Sequence, residues 1–138
     1  MSPYPSKDEI AELATHLSTS DPSPFYDRVS PNVVWDVLGT HPAAGHFTSF
    51  ESWKKSALGV ANKFLKEPLR FKVVNAFGGG EQDWCCLELE AIDAVAKNGI
   101  PYPQQYCWLL RFDEHGIIVQ VRAYVDSVLV NKIADANP

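Results

Sequence analysis

The chain has 138 residues and a net charge of −5, a size that fits one domain spanning residues 1–138. With 46% hydrophobic and 21% charged residues it has the composition of a soluble globular protein, and its acidic balance argues against nucleic acid or an anionic membrane as partner. No apolar run has signal-peptide or transmembrane character, so a cytoplasmic chain is expected. Cys85, Cys86 and Cys107, odd in number and without zinc spacing, read as buried free thiols.

In chain order, Ser6-Lys7-Asp8-Glu9 is a capping box, and Ile10, Leu13, Ala14 and Leu17 continue one helical face, predicting a helix over 7–18. Asp21-Pro22-Ser23-Pro24 ends it, and Phe25-Tyr26 suggests a short helical turn before Pro31. A strand is expected over 33–38, then a Gly/Pro loop carrying His41 and His46. A second capping box, Thr48-Ser49-Phe50-Glu51, opens a helix to about Leu65. The remainder reads as four antiparallel strands over 69–77, 83–95, 104–112 and 117–130. Gly78-Gly79-Gly80, Asn98-Gly99 and Asp113-Glu114-His115-Gly116 form the turns between them.

This order specifies an α+β class: a curved antiparallel sheet with the N-terminal helices packed over its concave face, a cone-shaped α+β barrel with a pocket at its mouth. In the last strand Val121, Ala123 and Val125 share one face and Arg122, Tyr124 and Asp126 the other. Because helices already cover the sheet, the polar row is expected to line the pocket. A homodimer is expected as well, since both faces of 83–95 and 104–112 carry large apolar residues.

Three stretches carry a resemblance to a known family. They are Val33-Val34-Trp35-Asp36-Val37-Leu38-Gly39, Lys97-Asn98-Gly99-Ile100-Pro101-Tyr102 and Arg122-Ala123-Tyr124-Val125-Asp126-Ser127. Their order resembles the nuclear transport factor 2-like superfamily, above all the SnoaL-like polyketide cyclases and ketosteroid isomerases. The resemblance implies a cofactor-independent isomerase, cyclase or dehydratase of secondary metabolism, acting on a hydrophobic carbonyl-bearing small molecule. It places Asp36 where ketosteroid isomerase holds its general base and matches Asp126 to the acid/base aspartate of SnoaL-like cyclases. The first helix offers His16 but no oxyanion-hole tyrosine, and Arg122 with Tyr124 does not reproduce the Asp-Arg-Asp cluster of limonene-epoxide hydrolase.

The candidate catalytic residues are therefore Asp126, Asp36, His41 and Tyr124, expected to converge on one point. A carboxylate among apolar walls is suited to proton abstraction, a loop histidine to acid/base exchange, and a phenol to oxyanion stabilisation. Arg122, Trp35, Glu88, Trp108, Tyr106 and Trp53 are candidates for substrate binding, against the plainer reading of the aromatics as core and of the charges as solvated surface. The four histidines show no HxH or HExxH spacing, so no metal and no cofactor are expected. The alternative is a non-catalytic small-molecule-binding or dimerisation module of the same fold, with the apolar row of the last strand against helices or a partner and the polar row in solvent.

Overall fold

A computed structural model describes residues 2–138. Helix α1 (Lys7–Ala14) starts at the predicted cap: the Ser6 hydroxyl accepts from the Glu9 amide and the Glu9 carboxylate accepts from the Ser6 amide, both at 3.2 Å. It tightens into a 3-10 turn (Thr15–Ser18) and is followed by α2 (Ser23–Tyr26). Ile10, Ala14, Leu17 and Phe25 are buried, so this N-terminal unit turns one apolar face to the sheet.

The six strands are β1 (Val29–Val37), β2 (Gly45–Phe47), β3 (Phe71–Gly78), β4 (Trp84–Ala91), β5 (Gln105–Phe112) and β6 (Ile118–Val125), in spatial order β2-β1-β6-β5-β4-β3. The predicted meander β3–β6 is antiparallel throughout. β1 pairs parallel with the last strand, and β2 folds back onto β1 out of the stretch expected to be loop. β1 also begins four residues earlier than expected, and its pairing with β6 lapses between Val29 and Val34, where Pro31 offers no N–H. β4 stops at Ala91 rather than 95 because Asp93 adopts φ +45°, a left-handed conformation that no strand continues through.

The second predicted helix is three pieces: α3 (Phe50–Trp53), a π-helical turn (Lys54–Leu58) and α4 (Gly59–Lys63). Its cap is the Ser49 hydroxyl, which accepts from the Ser52 amide at 3.1 Å. The wide turn closes where the Gly59 N–H reaches back five residues to the Lys54 carbonyl; a Cβ at Gly59 would sit 3.2 Å from that oxygen.

The largest departure from expectation lies at the C-terminus. The strand expected to reach 130 ends at Val125, and Ser127–Ala136 forms helix α5. Asp126 is its N-cap, with Oδ1 accepting from the Leu129 amide at 3.2 Å. The valines at 125, 128 and 130 favour a strand locally. The cap and the burial of Val130 and Ile133 against Phe64, Leu65, Ala96 and Tyr102 override it.

The main core lies between the concave side of the sheet and the helices. Trp35 of β1 stacks on Trp53 of α3, with ring centroids 3.6 Å apart and planes 15° apart, and Trp108 of β5 meets Trp35 edge-on at 5.3 Å. Such aromatic pairs contribute about 0.5–1.5 kcal/mol each beyond their buried area. No helix among the described residues is long and apolar enough to cross a membrane.

Candidate functional site

The inward rows of β1, β5 and β6 present Trp35, Val37, Trp108, Ala123 and Val125 to a cavity whose other walls come from the helix over 50–63 and from Phe71, Tyr102, Tyr106 and Val130. The space at its centre is about 60 Å³. It exists because small side chains sit at inward positions: Ala57 and Ala61 on the helix, Ala123 on β6 and Ala43 in the β1–β2 loop. The π-helical turn places Ala57 and Leu58 in the wall. Among the described residues no Asp, Glu, Lys or Arg lines this cavity; its side chains with polar atoms are His41, Tyr102, Tyr106 and the indoles of Trp35, Trp53 and Trp108.

Each polar group is defined by its partners. His41 Nδ1 accepts from the Ala43 amide at 3.2 Å, so its proton is on Nε2, which donates to the Leu38 carbonyl at 3.1 Å. The ring is thereby tied to its own loop. That loop is held against α5, where Asn131 Nδ2 donates to the Thr40 carbonyl at 2.7 Å. Gly39 permits the approach: at φ +110°, an added Cβ would collide with the Ser127 hydroxyl and press on the His41 ring.

The Tyr102 hydroxyl accepts from Gln104 Nε2 at 3.2 Å, leaving its own proton available. Burial raises the Tyr102 pKa, opposed by the Gln104 and Tyr106 hydrogen bonds; burial, with Tyr102 adding to it, holds Tyr106 well above the ordinary tyrosine value. Both phenols are neutral at physiological pH, as an ordinary tyrosine already is, and with Tyr106 bonded to Tyr102 one of the two protons is engaged within the pair. Trp35 Nε1 is buried without a hydrogen-bond partner. An orphaned buried donor costs about 1–3 kcal/mol, a cost the aromatic packing around Trp35 offsets.

The expected convergence of Asp36, His41, Asp126 and Tyr124 does not form. His41 lines the cavity, as do Trp35, Trp53, Trp108 and Tyr106. Arg122 and Tyr124 lie on the opposite, outer face of the sheet, because the alternating row that points inward is Val121, Ala123 and Val125. Asp36 shares that outer face: it is in register with Arg122 on β6 and His46 on β2, and its Oδ1 lies 2.5 Å from His46 Nδ1. Glu88 is exposed there too, accepting from Asn75 Nδ2 at 3.3 Å. The Asp126 carboxylate is committed to capping α5 and lies outside the wall. The polar row of the last strand thus lies on the outer face, since the helices that cover the sheet sit against its apolar row.

Two residues escaped the sequence reading. Tyr102 lies between Pro101 and Pro103, a rigid setting that holds its ring in the wall. Gln104 is 1% exposed, and its amide is fully used: Oε1 accepts from the Asp126 and Gln105 amides, both at 3.0 Å, and Nε2 donates to the Asp126 carbonyl at 3.0 Å as well as to Tyr102. The available signal was Pro-Tyr-Pro-Gln opening a strand, where a buried amide has backbone to clamp.

No family model matches the chain. It is 29% identical over 125 residues to the dimerizing cyclase phiC of a fungal species, covering 90% of this chain and 54% of that protein. It is 27% identical over 110 residues to the dimerizing cyclase tstC of Talaromyces stipitatus, covering 79% and 48%. The chain thus spans about half the length of the curated relatives it matches. Its structure superposes on an NTF2-like protein from Burkholderia thailandensis with a TM-score of 0.75 at 17% identity, covering 96% of this chain and 97% of that one. The chain has the NTF2-like cone fold, as its element order implies.

Proposed function

We propose that this chain is a cofactor-independent, cyclase-type enzyme of secondary metabolism acting on a hydrophobic, carbonyl-bearing small molecule. The carrying observation is the cavity itself: an apolar box without formal charge, in which two neutral phenols and one histidine are the hydrogen-bonding groups. Donors fixed in a water-poor site stabilise charge developing on a carbonyl oxygen far better than water does. The aromatic walls orient the chain that cyclises. His41 is the one nitrogen base in the wall and takes the proton once Nδ1 releases the Ala43 amide. The names of the curated relatives support this reading, and joining two substrate units is compatible with it.

The alternative, a binding module without catalysis, is favoured by one observation: neither Asp36 nor Asp126 reaches the cavity. One experiment separates the two. Cyclohexanone in D2O should quench tryptophan emission and exchange its α-protons faster with the protein than without it. Binding without acceleration would select the binding module, and no binding would sink both.

The homodimer is a further part of this reading. The outer face exposes Phe77 at 47% and Tyr124 at 40% beside Cys86, Cys107 and Leu109. Arg122 lies on the β6 side of β5 and Glu88 on the β4 side. A two-fold axis along β5 sets one copy's Arg122 flank over the other's Glu88 flank, a self-complementary arrangement around an apolar centre. Gel filtration at low micromolar concentration should return twice the monomer mass; a monomer would contradict it.

A further inference from the structure

A second, larger space adjoins the aromatic cavity. It is a cleft of about 350 Å³ between the end of the 3-10 turn and the chain around 62–71. Leu58, Leu69 and Phe71 line both spaces, so these three side chains stand between them, the neck that a ligand reaching both has to pass. The neck is braced where the Leu69 amide donates to Asn62 Oδ1 at 3.0 Å.

The cleft is more polar than the cavity: Thr19, Ser20, Asn62 and two charged side chains line it. It contains Arg70, a half-buried guanidinium whose Nη1 donates to the Ser18 carbonyl at 3.2 Å. Among the described residues no carboxylate lies within ion-pair distance of it. Glu67 also lines the cleft, but it is exposed and unpaired with Arg70. A partly desolvated guanidinium with one of its five donors engaged and no counter-ion is a receptor for a carboxylate.

We propose that cleft and cavity form one bipartite site for an amphiphilic carboxylate: the acid group is held by Arg70, and the apolar chain passes the Leu58–Leu69–Phe71 neck to the tryptophans. This rests on the reading of the cavity as a small-molecule site and adds the substrate's second functional group and its direction of entry. Trp35, Trp53 and Trp108 surround the inner compartment, whereas Arg70 marks the outer one, so the two ends of a ligand have different reporters.

The test is tryptophan emission with straight-chain C8 probes. Octanoate should bind wild type about tenfold more tightly than 1-octanol, the effect of one charge-assisted pair. Arg70→Gln should abolish that preference and leave 1-octanol binding unchanged, while Arg70→Lys keeps part of it. 8-Bromooctanoate should quench more strongly than 2-bromooctanoate, because its heavy atom reaches the tryptophans. If Arg70→Gln fails to fold, the wild-type comparisons still decide. Equal affinity for octanoate and octanol, or equal quenching by the two bromo acids, overturns the bipartite site. If cyclohexanone still binds in either of those cases, the cavity reading survives alone. If cyclohexanone does not bind, both fall.

Discussion

Replacing Gln104 by methionine is expected to destabilise the fold by roughly 3 kcal/mol, because a side chain of similar length removes four hydrogen bonds at once. The Gln104 amide ties the Asp126 N–H and C=O, the Gln105 N–H and the Tyr102 hydroxyl together at 3.0–3.2 Å, from a site 1% exposed to solvent. The clamp acts where the chain turns from β6 into α5, so its loss frees the helix that closes the second core. For a chain of this length the melting temperature should fall by about 10 °C. Thermal and urea melts measure it, and a loss under about 1 kcal/mol would show that the amide is not needed. Gln104→Glu separates hydrogen bonding from shape. At neutral pH its second carboxylate oxygen faces the Asp126 carbonyl, acceptor against acceptor. The buried carboxyl's folded pKa is thereby raised above its unfolded value, so stability should recover as the pH falls toward the unfolded value. A Glu variant as stable as wild type at pH 7 would show that the two donations from Gln104 Nε2 contribute nothing to the clamp.

The α+β class, the meander and the first helix cap were legible because each has a local cause: a capping box, period-two alternation, a tight turn. What failed was assignment of faces. Arg122, Tyr124 and Asp36 drew attention because polar residues stand out within apolar strands. The cavity of this fold, however, is written in its apolar row, as a deficit of volume. Ala123 between Val121 and Val125, opposite Ala57 and Ala61, is the sequence's record of empty space. One strand cannot show it, because the deficit appears only when the helix is laid over the sheet. α5 was hidden for a different reason. A valine-rich stretch following a strand carries no Gly or Pro to stop it, and Asp126 reads as a cap only once Val130 and Ile133 have a core to enter. His41 was singled out as a loop histidine; its tautomer follows from the Ala43 and Leu38 contacts, which spacing alone does not reveal.

Tyr102→Phe combined with Tyr106→Phe is expected to slow the protein-dependent α-proton exchange of cyclohexanone by about 100-fold or more, while weakening its binding only modestly, because oxyanion donors act chiefly on the transition state. Phenylalanine keeps the ring surface in the wall, so the change isolates the two hydroxyls; His41 remains and sustains a residual rate. An unchanged rate would remove the phenols from the chemistry, and equal losses in binding and rate would mark them as binding groups only. The same variant tests whether the phenols are neutral. Burial raises Tyr102 and Tyr106 above their unfolded value of 10.0 and pushes the Cys85 thiol from 9.0 up to about 12. A folded pKa above the unfolded one means that the native state holds the proton more tightly. That stability is fully present below the unfolded pKa and is lost as the pH rises through the folded value. Wild type should therefore melt at nearly constant temperature up to about pH 9 and progressively lower above it. The double variant should lose less stability between pH 9 and 11, with Cys85, Cys86 and the buried Tyr26, all raised chiefly by burial, contributing to what remains. Identical alkaline profiles would mean that the two hydroxyls are already solvated, and the cavity would then lack the neutral donors on which the proposed chemistry depends.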